Sequence, residues 1–202
     1  MPASVDHHAR RKAIAEAAWR IICRDGLHAV SVRTVASEVG LSTGSLRHVF
    51  ATQAELLQFS MELVAERVRA RIAAIPDEAP ARERIERMVK EILPLDAERV
   101  MEAEVWLAFV ARSRVEPSLR GLVAQLDDAQ RAWLRAALAE MFAEEAIRGR
   151  DPKHEAERLY AIMDGLVLHA TATPGALVEY QMVDVLTRHV DELIDRGTPR
   201  HR

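Results

Sequence analysis

Apolar residues recur at three- and four-residue steps along nearly the whole chain, and Gly, Pro and capping residues cut that pattern into nine predicted helices. Ile14, Ala17, Ala18, Ile21 and Ile22 line the first, which Asp25-Gly26 ends. Ser31 is an N-cap residue for Val32, Val35, Ala36 and Val39, and Gly40 stops that segment by entering the left-handed region. Ser42 caps a second short segment whose buried side is Leu46, Val49 and Phe50. Thr52 with Glu55 forms a capping box, opening a helix through Leu56, Leu57, Phe59, Leu63, Val64, Val68, Ile72 and Ile75 to Pro76. At roughly 24 residues it would be about 36 Å long, a strut. Further helices are predicted up to Pro94, from Asp96 to about Arg114, from Pro117 to Gly149, from Asp151-Pro152 to about Thr171, and from Thr173-Pro174 to Arg196-Gly197. Residues 1–8 read as an irregular tip and 198–202 as a tail, and no strand signal occurs. The fold class expected is all-α. A three-helix N-terminal domain over 1–51 would precede a helical C-terminal domain over 52–202.

Composition sharpens this. Ala, Leu, Val, Arg and Glu dominate, only 4% of residues are aromatic, and 49% are hydrophobic, enough for a core. One cysteine, Cys23, excludes a disulfide framework within the chain. With no secretory signal and no apolar run near membrane length, the expectation is a cytoplasmic protein without a membrane partner. The net charge of −3 is unevenly divided: residues 1–60 carry +2 and the rest −5. That asymmetry has the sign of a DNA-binding head on an acidic body.

Helix, Gly turn, helix over Ser31 to Phe50 is the helix-turn-helix pattern, whose second helix enters the DNA major groove. Its outward residues, Thr43, Gly44, Ser45, Arg47 and His48, are small, polar or cationic, as base edges and phosphates require. Arg47 can offer a bidentate fork to guanine, and His48 suits a phosphate. Arg33 could reach DNA or pair with Glu38 or Asp25. Arg10, Arg11 and Lys12 could lie along the DNA backbone or be solvated. No phosphate-cradling Gly loop, spaced Cys/His metal set or nucleophile elbow is present, so no enzyme, metal or cofactor is expected.

The combination Ser31-Val-Arg33…Ala36…Gly40-Leu-Ser42-x-Gly44-Ser45-Leu46…Phe50-x-Thr52-x-x-Glu55-Leu56-Leu57, after a helix ending in Asp25-Gly26, resembles the tetracycline-repressor (TetR/AcrR) family of bacterial transcription regulators. The motif covers about residues 10–57. The remainder is similar to the branch containing the choline-responsive betaine regulator. An aromatic is common in the family where Arg47 stands, and a phosphate-gripping Lys where Gln53 stands. The resemblance implies a DNA interface of Ser31, Arg33, Ser42, Thr43, Gly44, Ser45, Arg47, His48 and Gln53.

It also implies a homodimer on a near-palindromic double-stranded operator, released by a small-molecule effector. The helix over 152–171 is apolar around most of its circumference, which independently suggests a twofold four-helix interface with the last helix. The interface expected comprises Leu159, Met163, Leu166, Val167, Met182, Val183, Leu186 and Val190. An effector pocket is expected among Met88, Trp106, Phe109, Trp133, Met141, Met163 and His169, a set that also suits a packed core. The rival reading is a helical small-molecule or protein-binding module that no longer touches DNA.

Overall fold

The computed structural model describes residues 2–173 and 175–195, with side chains from His7 onward. Among the described residues nine α-helices follow one another: α1 (Pro2–Asp25), α2 (Val32–Glu38), α3 (Thr43–Arg47), α4 (Gln53–Ala73), α5 (Ala81–Lys90), α6 (Ala97–Ser113), α7 (Pro117–Glu144), α8 (Pro152–Ala172) and α9 (Glu179–Asp195). A single 3-10 turn, Leu27–Ala29, lies between α1 and α2, and no strand is present among these residues. The chain divides into two compact units, Met1–Arg67 with Glu104–Val123, and Val68–Ala103 with Ala124–Arg202.

In the first unit α1 packs on α2 and α2 on α3. Its core holds Ile14, Trp19 and Ile21 from α1, Val35 from α2, Leu46 from α3, Phe50, and Leu56, Met61 and Leu63 from α4. Trp19 is the largest of these, and its buried indole N–H donates to the Ser60 carbonyl at 3.0 Å. That bond removes the cost of burying a polar atom beside apolar neighbours. The Arg67 guanidinium lies 4.8 Å from the Trp19 ring and pairs with Glu16.

In the second unit α9 packs on both α5 and α8. The core contains Ile85, Val89, Leu93, Leu134, Leu138, Met141, Leu159, Met163, Leu186, Val190 and Leu193. Ion pairs stitch its helices: Arg82 to Asp191, Arg84 to Glu140, and Arg131 to Glu157. A partly buried set lies at the C-terminal turn of α4. Arg71 donates to both carboxylate oxygens of Glu102, at 2.6 and 3.1 Å, and to the Glu91 carboxylate at 2.9 Å.

Several boundaries differ from the sequence reading. α1 begins at Pro2, so residues 2–8 continue the helix where an irregular tip was expected. No Gly or Pro interrupts the chain between Pro2 and Gly26, and Pro suits a first helical position. α7 stops at Glu144, short of Gly149. Ala146 takes the left-handed conformation (φ 51°), and the Ile147 N–H returns to the Phe142 carbonyl at 2.9 Å, a Schellman-type ending on a residue that favours it poorly. The last helix starts at Glu179, and Gly175 (φ 84°) belongs to the loop before it. The Gln181 side chain accepts from the Val178 N–H at 3.1 Å and serves as its start signal. Pro174, Gly197 and the tail 198–202 lie outside the described residues.

His189 of α9 is buried with its Nε2 unpartnered, facing Arg158, Arg150, Glu155 and Glu192. Burial, reinforced by Arg158, holds its pKa below the ordinary histidine value of 6.5. The folded protein therefore keeps His189 neutral where the unfolded chain protonates it. The stability this contributes is complete above about pH 6.5 and declines as pH falls below it. Urea unfolding at pH 7.5 and 5.5 should show the wild type losing more stability on acidification than His189→Gln; equal losses would contradict this origin.

Candidate nucleic-acid interface

The reading helix is assembled from two caps. Ser31 Oγ accepts from the Thr34 N–H at 3.1 Å, and Thr34 Oγ1 accepts from the Ser31 N–H at 2.9 Å. This is a reciprocal capping box with Thr in the place usually taken by Glu or Gln. Gly40 (φ 67°) turns the chain, and the Leu41 N–H bonds to the Ala36 carbonyl at 2.8 Å. Ser42 Oγ then accepts from the Ser45 N–H at 3.0 Å and starts α3. Leu46 is fully buried beneath α3, which fixes the helix's inner side.

That anchoring leaves Thr43, Gly44, Arg47 and His48 exposed and Ser45 half-exposed. Among the described residues Arg47 has no carboxylate partner, nor does the exposed Arg33. Glu38, the alternative expected for Arg33, instead binds Arg24 and Arg20, and these pairs hold its carboxyl below the usual range. Asp25 pairs with Arg24. The outer face thus carries two free guanidinium groups and an imidazole beside small residues. This arrangement can follow a phosphate backbone and approach base edges closely.

Other expected contacts are engaged within the protein. The hydroxyls of Ser31 and Ser42 serve the two caps. The Gln53 side-chain amide donates to the Val30 carbonyl at 2.7 Å. Arg11 and Lys12 are half-buried and engaged within the protein: Lys12 pairs with Glu66 at 2.7 Å, and Arg11 lies over the rings of Phe50 and Phe59, 4.2 and 4.6 Å from their centroids. Of that basic run Arg10 is exposed. Arg11 also donates to the Val49 carbonyl (3.1 Å) and to Glu55 (3.0 Å), while Glu55 accepts from the Ala51 N–H (2.9 Å). These bonds, the Ala51 N–H foremost, hold the Glu55 carboxyl below its ordinary pKa. Sequence periodicity carries no signal for them, because each joins positions 4 to 44 residues apart through a polar atom.

The expected effector residues do not all share one unit. Met88, Trp133, Met141 and Met163 belong to the second, and Trp106 and Phe109 to the first. Phe109, Met141 and Met163 are buried, and Met88, Trp106 and Trp133 half-buried. His169 is a correction: it is exposed. The inner stripe of α8 runs through Leu159, Met163, Leu166 and Val167, and His169 falls outside it on the helical wheel.

The expected twofold residues lie mostly inside the single chain. Leu159, Met163, Leu166, Val167, Met182, Leu186 and Val190 are buried within the single chain, where α8 meets α9; Val183 is half-buried. Most of them therefore contribute to the core of the single chain. The apolar residues α8 and α9 leave outside are Leu168 (49% exposed), Tyr180 (71%) and Val185 (41%), with Val178 just before α9. Among the described residues no group of three His, Cys, Asp or Glu could hold a metal ion, and no helix is long and apolar enough to cross a membrane.

Residues 14–59 match the family profile of bacterial regulatory proteins, tetR family, and residues 81–195 that of the BetI-type transcriptional repressor, C-terminal. The HTH-type transcriptional regulator PksA of Bacillus subtilis (strain 168) is 39% identical, over 98% of this chain and 96% of its own. A transcriptional regulator from Rhodococcus sp. Rha1 has a TM-score of 0.81 at 26% identity, covering 93% of this chain and 97% of that one. A regulator from Saccharomonospora viridis, solved in complex with choline, has a TM-score of 0.75 at 27% identity, covering 94% and 97%.

Proposed function

Because the chain belongs to the tetR family of bacterial transcription regulators, with a BetI-type C-terminal part, we propose that it is a homodimeric repressor released from its operator by a small molecule. The observation that carries this reading is the outer face of α3 with Arg33: cationic and small groups unpaired, on a helix whose inner side is locked by Leu46. Thr43, Gly44, Ser45, Arg47 and His48 read the major groove, Arg47 through a guanidinium fork. Arg33 contacts phosphate or guanine, and Ser31 and Ser42 present the two helix starts. Residues 1–51 serve as the reader, and 52–202 as the sensing and dimerising part.

The twofold face is the outer side of α8 and α9 around Leu168, Tyr180 and Val185, whose exposure supports it. It sets two copies of α3 on successive major grooves, about 34–36 Å apart. The effector is a small organic molecule held by apolar and thioether groups such as Met88, Trp133, Met141 and Met163. Choline, bound by the Saccharomonospora relative, is the first to test. Effector binding favours a state in which α4 no longer holds the reading heads at operator spacing, and acts only through its differential affinity for the two states.

A duplex enriched from a random pool by the wild-type protein provides the assay. Arg47→Ala should lose about 1–3 kcal/mol of binding and relax preference at one position of each half-site. Full affinity with unchanged preference would remove Arg47 from the base-reading role.

A further inference from the structure

The segment that carries the reading helix is held at both ends by the first turn of α4. At its entrance, Val30 immediately precedes the Ser31 cap, and its carbonyl accepts the Gln53 amide at 2.7 Å. At its exit, the Val49 carbonyl accepts Arg11 at 3.1 Å, and the Ala51 N–H donates to Glu55 at 2.9 Å. Arg11 and Glu55 are themselves joined at 3.0 Å, and Arg11 is wedged against Phe50 and Phe59. Gln53 and Glu55 both lie in the opening turn of α4, beside the cap bond from the Glu55 N–H to Thr52 Oγ1 (3.0 Å).

We infer that Gln53 and the Arg11–Glu55 pair are positioning residues that clasp the two ends of the Val30–Ala51 segment to the first turn of α4, and that neither Gln53 nor Arg11 works as a phosphate contact. The chemistry favours this use. The Gln53 bond joins an uncharged amide to a backbone carbonyl, so it holds position without depending on charge. Arg11 has its guanidinium face on aromatic rings and its Nη1 on a carbonyl and a carboxylate, so its orientation is fixed from within the protein. With both ends tied to one helical turn, α3 moves with the start of α4 as one piece. This inference rests on the reading that α3 binds DNA, and its test includes an arm without DNA.

Three variants decide it: Gln53→Ala, Arg11→Lys and, as a reference for a surface phosphate contact, Arg10→Ala. Each is titrated against the enriched duplex and an unrelated duplex across a range of salt. The clasp predicts that Gln53→Ala and Arg11→Lys lose roughly tenfold in specific affinity. Their binding to the unrelated duplex and their salt slopes should stay those of wild type. A phosphate contact predicts the reverse. For the uncharged Gln53 it predicts that Gln53→Ala weakens both duplexes together, and for Arg11 that Arg11→Lys, which keeps its charge, binds as wild type, while the reference Arg10→Ala shallows the slope by about 0.9 per phosphate released. Either result would overturn the proposal.

The arm without DNA is amide hydrogen exchange. Gln53→Ala should speed exchange across residues 31–50 and leave α5 and α9 unchanged, which separates a local clasp from a general loss of stability. Unchanged exchange over 31–50, or faster exchange everywhere, counts against it. If the wild-type protein enriches no duplex, the DNA reading fails and the exchange result still decides the clasp.

Discussion

An Arg71→Met variant is expected to lose about 3–5 kcal/mol of folding stability, the cost of leaving a buried charge without its partner. Glu102 is only 4% exposed, and its two carboxylate oxygens both accept from Arg71. Removing the guanidinium strands that carboxylate inside the second unit without the two N–H donors that satisfy it. Glu91 loses the same partner but is half-exposed and keeps Arg99 at 3.6 Å, so it adds less. The bonds to Glu102 are also what raises the Arg71 pKa. Urea unfolding measures the loss. The double variant Arg71→Met/Glu102→Leu is the deciding control, since replacing a buried pair by apolar groups of similar size is often close to neutral. It should regain most of the stability. If Arg71→Met is as stable as wild type, the cluster contributes nothing net. If the double variant is as weak as the single one, packing at Arg71 explains the loss and charge does not.

The second large effect concerns the proposed twofold face. Leu168→Asp with Val185→Asp places two carboxylates where a partner's apolar surface would sit. In the free chain both positions are exposed, so folding should change by no more than about 0.5 kcal/mol. Sedimentation velocity should show a monomer where the wild type sediments as a dimer. Operator affinity should fall by about 100-fold or more, because each half-site then binds without the effective concentration supplied by the other. A variant that still sediments as a dimer would place the twofold contact elsewhere on the chain.

Caps and breakers made much of the architecture legible in the sequence. Ser31, Gly40, Ser42 and the Thr52–Glu55 pair act on their immediate neighbours, so their types alone locate α2, α3 and the start of α4. Tertiary choices among equally apolar residues were not legible. Leu159 and Leu168 are both leucines on α8, yet one is sealed against the chain's own core and the other is half-exposed. Apolarity says that a residue wants cover; which surface supplies it depends on the rotation of α8 against its neighbours. Polar ties were hidden for a different reason. Arg11 reads as part of a basic run until Phe50 and Phe59 are seen beneath it. Gln53 reads as a weakened DNA contact until Val30 is found within reach.

Cys23 carries a consequence of another kind. Cys23 is exposed on α1 with its thiol beside Glu104, and desolvation around the sulfur together with that carboxylate pushes its pKa up. At neutral pH the protonated thiol then predominates over the thiolate, the form that peroxides and alkylating agents attack. The only sulfhydryl in the chain is thus chemically muffled. An oxidant would find in Cys23 a poor trigger on this chain.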